Sequence, residues 1–225
     1  TGCFGPTFTY SHCNSCQAAF FKFAAETGGA VVSTPETELG MGMGFPSTNK
    51  ALEAGARFGL GIDIVSFGNG DMLTTTRLAL QTARALHCQP SVLAGKMPES
   101  SGYTTKDALA WATSGDAVGL TDKIGSIETG KHADIVLFKT DRLNLSPLSN
   151  PATAIVMHAR SSDIDTVIVG GQLRVKDGEL VGVDIKGLLP KLEQSKRSIV
   201  ERVRQARSEQ SDMGQAYETL IAGKP

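Results

Sequence analysis

With 225 residues, 40% of them hydrophobic and 20% charged, the chain has the make-up of a globular protein: one ordinary domain, or a small domain plus part of another. A formal charge of −1 gives no electrostatic case for a nucleic acid or an anionic membrane as partner. No apolar run approaches a membrane span, no basic-then-apolar leader opens the chain, and Cys3, Cys13, Cys16 and Cys88 are too few and scattered for a disulfide scaffold, so a reducing cytoplasm is expected.

In chain order, residues 7–11 read as a strand ending at His12. Ala18, Phe20, Phe21, Phe23 and Ala24 carry a helical spacing that predicts a helix over 17–26, stopped by Gly28 and Gly29. Ala30–Ser33 reads as a second strand and 34–46 as a loop. Ser47 or Thr48 then caps a helix through Glu53, ended by Gly55. Residues 57–62 read as a third strand with Asp63 just beyond its apolar part, and 71–87 as a longer helix. Three strand–helix units argue for parallel strands with crossover helices. They are too few to close an eight-stranded barrel, which typically needs ~250 residues.

Residues 108–113 read as a helix with Leu109 and Ala112 on one apolar face, after which Gly115, Gly119, Gly125 and Gly130 punctuate the chain. Ile135–Phe138 is a wholly apolar run suited to burial on both faces. Beyond it, 163–169 and 173–176 are short strands joined by Gly170 and Gly171, and Asp177 with Gly178 marks a further turn. Residues 185–206 form an amphipathic pattern with Leu188, Leu192, Ile199 and Val203 as its apolar line, and the final residues read as loosely held. There is no internal repeat.

The stretch ALAWAT at 108–113, GLTDKIGSIE at 119–128 and GKHAD at 130–134 resembles the C-terminal part of the metal-dependent amidohydrolase superfamily, in the branch of cytosine, guanine and triazine hydrolases. There a phrase ALxxAT leads into GLxDxIGSLxxGKxADLVLF as the chain leaves a TIM-like barrel for a small β-sandwich. Upstream, FTYSHC at 8–13 looks like the sixth barrel strand, VVSTP at 31–35 the seventh and FGLGID at 58–63 the eighth. The fold implied is α/β: the C-terminal part of a TIM-like (β/α)8 barrel over 1–114, a β-sandwich segment over 115–184, and a C-terminal helix and tail over 185–225.

That resemblance implies roles for particular residues. Asp63 would bind a divalent metal and move the proton of the attacking water, since a carboxylate beside such an ion can ligate it and accept a proton. Taken alone, Asp63 reads as a loop residue capping the next turn. His12 would contact the substrate, polarising a carbonyl or ring nitrogen; taken alone it is a hydrogen-bonded strand-end histidine. The segment 34–46 departs from the family's common HCPxSNxxLxxG phrase and looks closer to a variant PExEMQMGHG, with Met43 where histidine is expected. Glu36 and Met43 are candidate substrate contacts, while Glu36 and Glu38 also read as solvated loop carboxylates. Cys13 and Cys16 form a CxxC, but without a second Cys or His pair at finger spacing it cannot close a zinc site, and a structural role is expected. Gly40, Gly42 and Gly44 lack the Lys and Ser/Thr of a phosphate loop. His87, His132 and His158 form no recognisable ligand set.

In the family the metal is held by an HxH pair on the first strand, a histidine on the fifth and the aspartate on the eighth. This sequence contains no HxH and no HxxE, and it starts at Thr1 with no Met before Met41. The expectation is a chain that begins after five strands, retains zinc or iron only with ligands from the missing half, and is inactive alone. Two readings follow. One is a hydrolase acting on C–N or C–Cl bonds of a small cyclic or heterocyclic substrate. The other is a non-catalytic remnant serving as a structural or binding protein. Open strand edges argue for a homo-oligomer in either case.

Overall fold

The alternation of strands and helices is realised as a three-stranded parallel sheet in the computed structural model, which describes residues 4–208. Strands β1 (Thr9–Ser11), β2 (Ala30–Ser33) and β3 (Arg57–Leu60) lie in that order, with Thr9 opposite Ala30 and Ala30 opposite Arg57. Helix α1 (Ala18–Glu26) makes the first crossover; α2 (Pro35–Gly40) and α3 (Thr48–Glu53) make the second. Central β2 has both ladders satisfied and is the most buried strand, with Ala30, Val31 and Ser33 inaccessible. Helix α4 (Met72–Leu93) follows β3, and α5 (Thr105–Thr113) packs on α4 and β3.

Helix α4 starts where it does because the Asp71 carboxyl accepts from the Leu73 and Thr74 amides at 3.0 and 3.3 Å. Burial pushes the Asp71 carboxyl up, but hydrogen bonds from Thr74, Leu73 and Ser161 outweigh it and hold it below the usual carboxylate range. Buried Ala79, Leu80 and Ala83 let α4 pack closely into the core formed with Phe21, Val31 and Phe58. Trp111 of α5 stands edge-on to Phe58 and Tyr103, with centroids 6.0 and 5.6 Å away.

Three local readings are corrected. The supposed loop over 34–46 contains α2: Pro35 fixes φ at the first helical position, and Glu36 and Glu38 in the first turn favour the helix dipole. Strand β3 ends at Leu60, although the Gly61 amide still donates to the Ser33 carbonyl at 2.9 Å. Helix α4 continues to Leu93, past His87, and takes Pro90 into its last turns.

A second, antiparallel sheet holds β4 (Ile135–Phe138), β5 (Ile164–Val169), β6 (Gln172–Lys176) and β7 (Glu179–Leu180) in that order. Gly170 and Gly171 at φ 56° and 78°, and Asp177 and Gly178 at 54° and 85°, supply the paired positive φ that two-residue hairpins require. The expectation that β4 is buried on both faces fails: as an edge strand it leaves Val136 47% and Leu137 48% exposed. Before it, Gly125 at φ 93° lies so close to the Thr113 carbonyl that a Cβ would sit 2.9 Å from it. Short α6 (Pro151–Thr153) runs into a π-helical turn over Ala154–His158, which Arg77 of α4 ties down through the Val156 and Ala159 carbonyls at 3.0 and 2.8 Å.

The chain divides after Val181, and the second unit contains α7 (Ile185–Ser208), along which Leu188, Leu192 and Ile199 are exposed. The expected loose tail and Cys3 lie outside the described residues. No helix of the described residues is long and apolar enough to cross a membrane.

The turn over Asp116–Val118 packs on β3, and a Cβ at Gly59 would come within 2.4 Å of the Ala117 Cβ. Gly59→Ala is therefore expected to lower stability by about 1–3 kcal/mol in urea unfolding. An unchanged midpoint would show that the turn yields freely.

Candidate functional site

The ends of the parallel strands carry an unusual backbone. Four described non-glycine residues have positive φ: His12 (68°), Cys13 (58°), Asp63 (67°) and the hairpin residue Asp177. Three of these sit at the ends of β1 and β3, either side of β2, and such conformations cost about 1–3 kcal/mol each. The His12 amide still donates to the Val32 carbonyl at 2.8 Å, so the strand pairs up to the residue where it turns. The turns bring His12 and Asp63 together, with His12 Nε2 3.9 Å from an Asp63 carboxyl oxygen and both side chains about one-third exposed. At that distance they do not hydrogen-bond, and each remains open to a third group.

The other face of the imidazole is engaged. His12 Nδ1 lies 3.3 Å from Glu38 Oε1 and 3.1 Å from Thr34 Oγ1. Glu38, on α2, is fully buried, and its carboxyl oxygens also receive the Ser33 hydroxyl at 2.7 Å and the Thr34 amide at 2.8 Å. A carboxyl oxygen opposite Nδ1 assigns the ring proton to that nitrogen, which leaves Nε2 directed at Asp63. The Thr37 hydroxyl donates to the Ile62 carbonyl at 3.2 Å and so ties α2 to the residue before Asp63.

Of the four residues singled out from the sequence, His12 and Asp63 are brought together and Glu36 and Met43 are not. Glu36 Oε2 is buried against Gly68, where a Cβ would fall 2.8 Å away, and it meets no donor among the described residues. Met43 is 40% exposed; its amide donates to the Glu38 carbonyl at 2.9 Å. Reading Glu38 as a solvated loop carboxylate is overturned: it is the buried centre of the arrangement. Pro35 followed by two acids, a helix-start pattern, was the signal that could have exposed it.

A separate apolar cleft of about 790 Å³ opens between α4, α5 and the antiparallel sheet, lined by residues including Leu73, Leu109, Ile127, Phe138 and Val167. It contains none of His12, Glu38 or Asp63. The strand ends, where polar groups converge, are therefore the candidate site rather than this cleft.

A sequence profile of the Amidohydrolase family matches residues 18–174. The chain is 30% identical over 206 residues to a 5-methylthioadenosine/S-adenosylhomocysteine deaminase of Desulforudis audaxviator, covering 90% of this chain and 46% of that protein. It is 31% identical over 191 residues to an 8-oxoguanine deaminase of Pseudomonas aeruginosa, covering 84% and 40%. A solved adenosine deaminase from Xanthomonas campestris with bound zinc superposes with a TM-score of 0.79 at 26% identity, covering 89% of this chain and 44% of that one. The chain thus spans less than half the length of these relatives.

The buried carboxyl makes a differential test. Glu38→Ala leaves the Ser33 hydroxyl, Thr34 amide and His12 ring without their acceptor, and at about 1–3 kcal/mol per stranded group it is expected to cost at least about 2 kcal/mol in urea unfolding. Glu36→Ala, which strands no donor, is expected to cost less. Equal losses would contradict the central place of Glu38.

Proposed function

The chain belongs to the Amidohydrolase family, and from that premise we propose that it is part of a hydrolase that deaminates a small heterocycle. The reading rests above all on the convergence of His12 and Asp63 in left-handed backbone at the ends of β1 and β3. The similarity to proteins described as deaminases supports the reaction class. In this proposal β1, β2 and β3 are the last three strands of an eight-stranded barrel over 1–114. The segment 115–184 then belongs to a β-sandwich, and 185–225 is the C-terminal helix and tail.

The fit to a metal is partial. Among the described residues no group of three or more His, Cys, Asp or Glu side chains is placed to hold an ion. A catalytic zinc takes three protein ligands, and Asp63 with His12 supplies two at most. The chain therefore fits zinc or iron only as a contributor, with Asp63 the ligand and the other donors from the length of its relatives that it does not span. Bound there, such an ion would lower the pKa of a coordinated water to about 7.

The chain's own residues account for the proton and the orientation. The Asp63 carboxyl accepts the proton of the water that adds to the sp² carbon and returns it to the departing amine, so that water and the amino compound become a carbonyl and ammonia. His12 Nε2, its ring held through Nδ1, accepts a hydrogen bond from a ring N–H of the substrate. Glu36 and Met43, on and just after α2, are proposed to border the substrate.

Ammonia release from purine substrates and metal content should be measured on a longer product of the same gene and on this chain. The longer product is expected to hold a divalent metal, and Asp63→Asn to lower its kcat by about 10²–10⁴-fold. A longer product without tightly bound metal, or an active Asp63→Asn variant, overturns the reading. The half-exposed edge strand β4 also supports self-association. Light scattering on this chain is expected to give a mass above the monomer, and a well-behaved monomer would contradict that.

A further inference from the structure

We propose that Cys13 and Cys16 form an oxidisable dithiol, a modification site in which a hydroperoxide converts the pair reversibly to an intramolecular disulfide. Sequence spacing alone left this CxxC as structural; the geometry around it points further. The Cys16 amide donates to the Cys13 carbonyl at 3.0 Å, closing the chain into a single turn with both residues half-buried against the main core. A turn of this kind holds its end Cα atoms within about 7 Å, near the range that a disulfide spans.

The pair is asymmetric. The Cys13 thiol donates to the Ser11 carbonyl at 3.6 Å, which keeps its proton in place. Burial, then the Cys16 charge and hydrogen bond, then Glu38, push the Cys13 thiol up to about 11. With the Cys13 proton engaged at the Ser11 carbonyl, Cys16 is the sulfur that attacks. Beside it, Lys50 is pinned over the Phe21 ring and donates to the Asn14 and Cys16 carbonyls at 2.9 and 3.1 Å, setting a fixed positive charge at the turn.

The chemistry balances as follows. The Cys16 thiolate attacks one peroxide oxygen, the O–O bond breaks, and a sulfenic acid and water form. Cys13 then loses its proton and attacks the Cys16 sulfur, expelling a second water. Both sulfurs are oxidised by one electron each, and the peroxide takes the two electrons. An external dithiol reverses the bond by exchange. Cys88, whose thiol donates to the Ser100 carbonyl at 3.5 Å, has no cysteine within four residues in sequence and serves as an internal reference.

The test treats the whole chain with near-stoichiometric hydrogen peroxide, alkylates the remaining thiols and maps them by peptide mass spectrometry. The peptide holding Cys13 and Cys16 is expected to lose two hydrogens at least about 10-fold faster than Cys88 reacts, and dithiothreitol should restore it. In Cys13→Ser, dimedone is expected to trap a sulfenic acid on Cys16; in Cys16→Ser, Cys13 should stay unmodified. A wild-type pair that remains fully alkylatable, or oxidises no faster than Cys88, overturns the proposal. So does a Cys13→Ser chain with no adduct on Cys16. None of these readouts depends on the hydrolase reading.

Discussion

A carboxyl group taken wholly out of water must be met by donors on every side that lacks solvent, and Glu38 imposes that requirement on the end of β2. Ser33, Thr34 and His12 meet it with a hydroxyl, an amide and a ring nitrogen. Their positions therefore follow from one buried group: the last residue of β2, the residue entering α2, and the strand-end histidine of β1 share a single acceptor. The left-handed backbone at His12 becomes intelligible in this light, because an ordinary strand continuation would carry the ring along the sheet instead of back toward α2. Polar saturation around Glu38 offsets part of the strain stored at the turn.

Much of the framework was readable from residue order because local chemistry determined it. The hairpins at Gly170–Gly171 and Asp177–Gly178 needed positive φ at both central positions, and residue types that tolerate it stand there. The place of Asp63 was legible for a different reason: it follows β3, which ends at Leu60, and depends only on where the apolar run stops, whereas its role came from the family resemblance alone. Glu38 was not, because glycines and acids in succession look like a solvated loop, and its burial depends on β1 and β2 closing around α2. The exposure of β4 was equally hidden. An apolar run shows how a strand would be satisfied, not whether a second layer covers it in this chain.

The site is better defined as an arrangement than as a complete reaction centre. The imidazole and carboxyl at 3.9 Å are each free on the side facing the other, while everything behind His12 is fixed. That division suits a histidine that orients a ligand and a carboxyl that moves a proton, and it is built from residues between the end of β1 and the turn after β3. In the proposed reading, the groups opposite them would come from the length of the relatives that this chain does not span. The apolar cleft beside α4 and α5 is spatially and chemically a different matter, with few polar groups to direct a reaction.

One tether gives the arrangement a temporal dimension. The Thr9 hydroxyl donates at 2.7 Å to the Ala117 carbonyl, 108 residues away in sequence, and so fastens edge strand β1 to the turn that packs on β3. Closing so long a loop costs about 3.5 kcal/mol more in chain entropy than closing a two-residue hairpin, on the logarithmic scaling of loop closure. The β5–β6–β7 meander can therefore zip early from local contacts, whereas the Thr9–Ala117 tether forms only once the intervening chain has brought the turn against β3. Since His12 directly follows β1, that late-forming tether also secures the strand whose end positions the histidine–carboxyl pair.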